Sequence, residues 1–307
     1  MSPDQNNRRA GLVFGLVAYL FWGVLPLYFK LLAMVPPIEI VANRIVWSLL
    51  FLAILVALWR RWGTIRAAFA SGRVVLILML TAALIATNWL VYVWAVVNRH
   101  VLETSLGYYL NPLFNVLLGV ILLKERLSRA QTGAVLLAAS GVAVLAWGAA
   151  AGLWISLSLA FSFGLYGFVR KIAPVEALEG LWIETALLAP PSLFYLLWAH
   201  QGFGGLTAYG TTATFLLLLG GAITAVPLLL FNAAAKRLPY STLGFLQYIA
   251  PSLQFLLAVT LFGEPLTPAH ALCFGAIWTA LAIFAIEGVR IGRAQAKAAA
   301  EMPEPCP

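Results

Sequence analysis

The sequence predicts an all-α polytopic membrane protein whose ten transmembrane helices form two inverted five-helix repeats, and three observations carry that prediction. First, 63% of the 307 residues are hydrophobic and only 10% are charged, far outside the usage of water-soluble domains. Second, the apolar residues gather in runs of about 20, the length at which a helix crosses ~30 Å of hydrocarbon with its backbone groups satisfied internally. Third, the chain repeats itself. The stretch SLGYYLNPLFNVLLGVILLKERLSR at 105–129 returns as TLGFLQYIAPSLQFLLAVTLFGEPLTP at 242–268. At an offset of 139, Pro112 falls on Pro251, Asn115 on Gln254 and Glu125 on Glu264, whereas upstream the offset is 137 and Gly107 falls on Gly244. The second copy therefore holds two extra residues between its glycine and its proline. Internal self-similarity on this scale fixes the architecture that every other reading must fit.

Residues 1–10 are polar and place Arg8 and Arg9 ahead of an apolar run at 12–29. That run is longer than a signal-peptide core and no small-x-small cleavage site follows it, so it reads as an uncleaved first span. Further spans follow at 38–58, 74–97, 101–123, 131–147, 152–169, 178–198, 214–234, 242–262 and 269–289. The joins at 98–100 and 148–151 are short enough to make their neighbours hairpins. The loop RRWGTIRAAFASGR at 60–73 sets Trp62, Ile65 and Phe69 near one helical face among four arginines, which reads either as a helix lying on the inner surface or as a plain basic connector. From Arg290 the chain is basic, then alanine-rich, then proline-rich, the pattern of a frayed helix end and a disordered tail. The domain plan is thus a cytoplasmic N-terminus at 1–10, a first repeat at 11–147, a second at 148–289 and a cytoplasmic tail at 290–307.

Basic residues test the span count independently, because they collect in cytoplasmic loops. With the N-terminus inside, the inner segments hold sixteen of the nineteen lysines and arginines, the outer segments hold Lys30 and Arg99, and Arg44 lies within the second span. Both termini are then cytoplasmic. The net charge of +8 follows from topology and calls for no nucleic-acid partner. Five is an odd number, so the second repeat crosses the membrane in the opposite sense to the first. The loops show the adaptation: Lys124-Glu125-Arg126 becomes Gly263-Glu264-Pro265, losing both cations and keeping the acid. Inverted repeats of this kind are a construction of transporters, where the two halves supply inward-open and outward-open states of nearly matched energy.

Polar groups inside the spans are the candidate machinery. Pro112 and Pro251 each remove a backbone donor in mid-span, at Tyr108 and Gln247 four residues earlier a carbonyl is freed, and both helices are expected to bend there as hinges or as packing features. Around them gather Asn88 and Tyr92, Tyr108, Asn111 and Asn115, and Gln247 and Gln254, with Trp22 and Tyr166 contributed by the first and sixth spans. Each amide read singly is as well explained by interhelical hydrogen bonding, worth about 0.6 kcal/mol, as by substrate contact. As a cluster they point to a pathway, with Asn88, Tyr92, Tyr108, Asn115, Gln247, Trp22 and Tyr166 as substrate contacts. The fifth and tenth spans lack such residues and are expected to face lipid or a partner.

Charges within the spans are rarer, because each costs at least about 2.5 kcal/mol near the bilayer centre. Arg44 stands beside Asn43 and within reach of Glu39, so it reads as paired with a carboxylate or as the binder of an anionic substrate group. Glu103 and Glu184 are candidate proton carriers, and Glu287 with Arg290 is an expected inner-surface ion pair. Enzyme chemistry finds no support. His100, His200 and His270 stand near span ends, with no H-E-x-x-H, G-x-S-x-G, phosphate loop or Cys/His ligand set, so neither a catalytic site, a metal nor a cofactor is expected.

The segment NWLVYVWAVVNRHVLETSLGYYLNPLFNVLLGVILLKERLS at 88–128, together with Glu39 and ANRIVWS at 42–48, resembles the RarD-type, EamA-domain transporters of the drug/metabolite transporter superfamily. The resemblance covers nearly the whole chain and is more specific in the first half. It implies ten helices, the bacterial cytoplasmic membrane, and export of small metabolites, amino-acid-like compounds or drugs. The expected protein is a secondary transporter working by alternating access on a small-molecule substrate, with proton coupling and oligomeric state open. The rival reading is a non-transporting membrane scaffold or sensor whose polar groups only join helices.

Overall fold

The local sequence sets where helices begin. Pro37 opens one helix, with Pro36 held at φ −54° and ψ 134° before it, and Pro239 precedes another in the same extended conformation. Ser128 and Gln131 form a capping box, each side chain accepting from the other residue's backbone N–H. The computed structural model describes residues 3–32, 34–97, 101–147, 153–199, 207–261 and 268–300. Among these residues there are twelve α-helices and no strand: α1 (Pro3–Leu31), α2 (Pro37–Leu58), α3 (Trp62–Ala70), α4 (Gly72–Val97), α5 (Val101–Ile121), α6 (Arg129–Ala146), α7 (Leu153–Ile172), α8 (Ala177–Ala199), α9 (Gly210–Arg237), α10 (Tyr240–Gln247), α11 (Ile249–Leu261) and α12 (Pro268–Ala300).

Among the described residues seven helical stretches are long and apolar enough to cross a membrane, and Gly107–Ile121 is a shorter apolar one. Helix also covers the expected fifth and ninth spans, as the 18-residue α6 and as α10 with α11. The two predicted hairpin joins, at 98–100 and 148–151, lie outside the described residues. The basic loop at 60–73 contains α3, whose Ile65 is buried while Trp62 meets Trp182 of α8 edge-on at 5.4 Å. At the other end α12 continues as helix past the expected limit of 289 to Ala300, and 301–307 lie outside the described residues.

The two repeats differ where the offset slips. In the first copy Pro112 sits inside the unbroken helix α5. In the second, the helix stops at Gln247 and restarts at Ile249, with the Tyr248 N–H turning back to the Phe245 carbonyl at 3.2 Å. Two inserted residues rotate a helix face by roughly 200° at 3.6 residues per turn. Gly244 and Pro251 keep the packing roles of Gly107 and Pro112 only if the helix breaks between them. Gly244 is held close to a neighbour: a Cβ there would press on the Pro112 carbonyl and Asn115 of α5. Gly107 is likewise tight against Leu159 and the Ser156 carbonyl of α7.

Packing divides into a central body and a flanking pair. The central core joins α1, α2, α4, α7, α8 and α9 through Tyr19, Leu52, Leu78, Tyr166, Ile183 and Phe231. The pair is α6 and α12, whose Ala134, Ala138 and Val142 meet Cys273, Ile277 and Ala280. Small residues let these backbones approach, as they do between membrane helices. Large apolar side chains face outward all round the molecule, among them Leu76 at 68% and Phe194 at 72% exposure, a surface matched to hydrocarbon and not to water.

Among the described residues one full charge pair lies inside the central body. Arg170 of α7 is fully buried, with Nε 3.5 Å from Glu184 Oε1 of α8 and Nη2 donating to the Glu176 and Ala177 carbonyls. Glu184 also accepts from Thr81 Oγ1 and from the Tyr166 hydroxyl. Gly180 makes the room, because a Cβ there would collide with the guanidinium. Removing one partner strands the other charge at a cost of about 3–5 kcal/mol, whereas removing both is far less costly. We therefore expect Arg170→Met and Glu184→Met each to lower the unfolding temperature in detergent, and the double variant to be more stable than either single one.

Candidate functional site

Between the helices lies a cavity of about 510 Å³, within the size range of small-ligand sites. Its wall combines α1 (Trp22, Pro26, Phe29), α2 (Arg44), α4 (Asn88, Trp89, Tyr92), α5 (Tyr108, Asn111), α7 (Phe163), α9 (Thr224, Leu228) and α10–α11 (Gln247, Ala250, Pro251, Gln254). Exposed Lys30 at the end of α1 also belongs to the wall. The lining is mostly apolar and aromatic, with a few amides, hydroxyls and one internal arginine.

Each polar group is placed by its helix. Asn88 points from α4 to α7, where its Nδ2 donates to the Leu159 carbonyl and to Ser162 Oγ, both at 3.0 Å. Gln254 Nε2 donates to the Trp22 carbonyl at 3.0 Å, tying α11 to α1. Tyr92 and Tyr108 stand ring to ring at 5.9 Å. Asn111 is buried with its Oδ1 unpartnered beside the cavity. The cavity floor is an aromatic cluster in which Trp22 lies 5.8 Å from Phe163 and 5.7 Å from Phe231, with Tyr166 stacked on Phe231 behind it.

Arg44 does not make the carboxylate pair that the sequence suggested. Its Nε donates to Thr224 Oγ1 at 2.6 Å, and among the described residues no carboxylate is within ion-pair distance. The Tyr209 hydroxyl instead donates to the Glu39 carboxylate, 3.1 Å from either oxygen, because one turn and a half of helix carries Glu39 to another face. The guanidinium lies 5.3 Å from the Phe29 ring centroid and 5.8 Å from that of Trp89. Aromatic faces partly compensate a cation in a dry site.

Of the predicted site residues, Trp22, Asn88, Tyr92, Tyr108, Gln247, Arg44 and Pro251 line the cavity. Asn115, Tyr166, Pro112 and Glu184 do not. Asn115 is fully buried behind the wall and donates to Gln247 Oε1 at 2.7 Å, so it positions a lining residue. Tyr166 accepts from Asn232 at 3.0 Å and donates to Glu184 at 3.3 Å. Glu103 falls in α5, but its side chain lies outside the described residues. Glu287 and Arg290 approach to 4.0 Å, as expected. Sequence reasoning gave no role to Phe29, Phe163 or Thr224. An aromatic residue in a transmembrane run carries no mark of the cavity, and Thr224 is singled out only by the arginine that reaches it from the other half.

Comparison with known proteins gives the architecture a family. Residues 9–147 match the model of the EamA-like transporter family. An uncharacterized transporter of Pseudomonas aeruginosa is 50% identical over 285 residues, covering 92% of this chain and 96% of that one. Protein RarD of Escherichia coli is 43% identical over 295 residues, covering 96% of this chain and all of its own length. The chain belongs to the RarD-like EamA transporters. The RarD-like chain also shares its fold with a solved crystal structure at TM-score 0.67 and 22% identity, over 90% of this chain and 97% of the other. A RarD-like protein with seven such apolar helices is a multi-pass protein of the bacterial cytoplasmic membrane.

In the RarD-like cavity, depth decides reactivity. With the native cysteines replaced, a cysteine at Gln254 is expected to react with a membrane-impermeant thiol reagent at least ~10-fold faster than one at Asn115, measured by gel shift in intact vesicles.

Proposed function

We propose that this protein is a secondary transporter that exports a small organic molecule by alternating access, its ten spans arranged as two inverted five-helix halves with both termini in the cytoplasm. The observation that carries the reading is a cavity assembled from both halves that reaches exposed Lys30, and we read the end opposite Lys30 as closed. In the orientation favoured by the basic residues, the closed end is cytoplasmic.

The closure is built from polar clasps between the halves. Glu125, in the loop after α5, accepts from the Tyr240 and Ser241 N–H groups at 2.5 and 2.9 Å, so a first-half carboxylate caps the N-terminus of α10 in the second half. A helix N-terminus presents free donors and partial positive charge, which suits an anion. Within the second half, Lys171 donates to the Ala235 and Leu238 carbonyls and Lys236 to that of Ala173, which draws the inner ends of α7 and α9 together. Tyr240 completes the seal by donating to the Gly164 carbonyl at 2.6 Å.

The repeat supplies the opposite state. Glu125 corresponds to Glu264 at offset 139, and Tyr240-Ser241 corresponds to Glu103-Thr104 at offset 137. The carboxylate retained in the outer loop therefore has an equivalent helix start to cap when the outer end closes. Exchanging one clasp for the other moves the opening across the membrane while the central site stays fixed. Glu103 and Glu184 remain the carboxylates to examine for proton coupling.

Two measurements test this function. Proteoliposomes loaded with a mixed metabolite extract are expected to lose a compound class selectively, read by mass spectrometry, and unchanged contents from folded protein would refute transport. Glu125→Gln weakens a charge-assisted contact worth about 1.5–3 kcal/mol, enough to shift a two-state equilibrium roughly 10- to 100-fold. It is expected to slow flux at least fivefold while leaving ligand affinity in the outward-facing state within twofold.

A further inference from the structure

Resting on the transport reading above, the geometry points to the substrate class: we infer that the cavity takes a small organic monocarboxylate with a ring-sized apolar body, its carboxylate held by Arg44. The arginine stands in the wall with Nε committed to Thr224 and with no described carboxylate to neutralise it. Tyrosine and tryptophan side chains surround it, and no acidic residue occurs among the described lining residues. A cation inside a membrane protein is costly unless compensated, and aromatic faces compensate only part of its charge. An arriving anion supplies the remainder.

The shape of the guanidinium narrows the class. Nε is engaged with Thr224, which leaves the two terminal nitrogens as a fork, the geometry that pairs with the two oxygens of one carboxylate. A dianionic phosphate would ask for a second cation beside the fork, and the other cation of the wall, Lys30, is exposed at the end of α1. Trp22, Phe29, Trp89, Tyr108 and Phe163 give the wall broad aromatic faces that fit a hydrocarbon body. The volume of about 510 Å³ admits a molecule of one or two rings and excludes large amphiphiles. The selection rule is therefore negative head, apolar body, no obligatory cation.

The test compares isosteres on the full-length wild-type protein in nanodiscs, using fluorescence of the wall tryptophans. 3-Phenylpropionate is expected to bind at least ~10-fold more tightly than the neutral 3-phenylpropanamide, with hexanoate and indole-3-acetate also binding and phenyl phosphate weaker than the carboxylates. Arg44→Gln is expected to abolish the preference by weakening the acid and not the amide, and Arg44→Lys to retain part of it. Equal binding of acid and amide, binding of none of the three carboxylates, or a preference unchanged in a folded Arg44→Gln protein would overturn the inference. The ligand comparison uses wild-type protein, so it stands if the variant does not fold. Flux in proteoliposomes without charge preference would sink the substrate class and leave transport intact. Charge-selective binding without flux would sink transport and leave the site intact.

Discussion

Hydrocarbon offers no hydrogen bonds, and that single constraint decides which polar groups in this chain are structural and which are available for work. A buried donor or acceptor must find its partner inside the protein or stand at a cavity. Arg170 finds Glu184, Asn115 finds Gln247, and Asn88 finds α7, each across a helix–helix boundary. These pairs fix how α4, α5, α7, α8 and α10 sit together. Among the groups they leave over, the terminal nitrogens of Arg44 and the unpartnered oxygen of Asn111 stand at the same central cavity, whereas others such as Trp182 Nε1 and Tyr248 Oη lie away from it.

The same constraint explains the asymmetry between the ends of the molecule. Helix termini carry free N–H and carbonyl groups, so an end that closes needs side chains to satisfy them. At the end proposed as sealed, Glu125 caps α10 and the two lysines take the carbonyls of Ala173 just after α7, of Ala235 in α9 and of Leu238. Such contacts are individually weak enough to break and strong enough to define a state. A clasp worth a few kcal/mol is the scale at which two conformations stay populated and a ligand can choose between them.

Much of the helical fold was legible in the sequence, because apolar run length is a direct consequence of the bilayer. Helices appear wherever a span was expected, and the two-residue slip between the copies marks the break at Tyr248. The site was legible in part. Asn88, Tyr92, Tyr108 and Gln247 stand on the cavity because intramembrane polarity is rare enough to be informative. Asn115 shows the limit: sequence gives its depth, but which side of α5 meets Gln247 depends on the packing of a distant helix. Arg44 shows the same limit more sharply. Proximity in sequence suggested Glu39, whereas the three-dimensional partners are Thr224, 180 residues away, and Glu39 is taken by Tyr209.

The most direct test of the account is a pulsed electron paramagnetic resonance distance measurement across the sealed end. Spin labels at Leu122, just after α5, and at Ile172, the last residue of α7, both exposed, report whether the first and second halves separate there. The account predicts a short distance matching the clasped structure together with a second, longer population, which grows when Glu125 is replaced by glutamine. A single distance, indifferent to that substitution, would contradict it and return the chain to a static membrane scaffold.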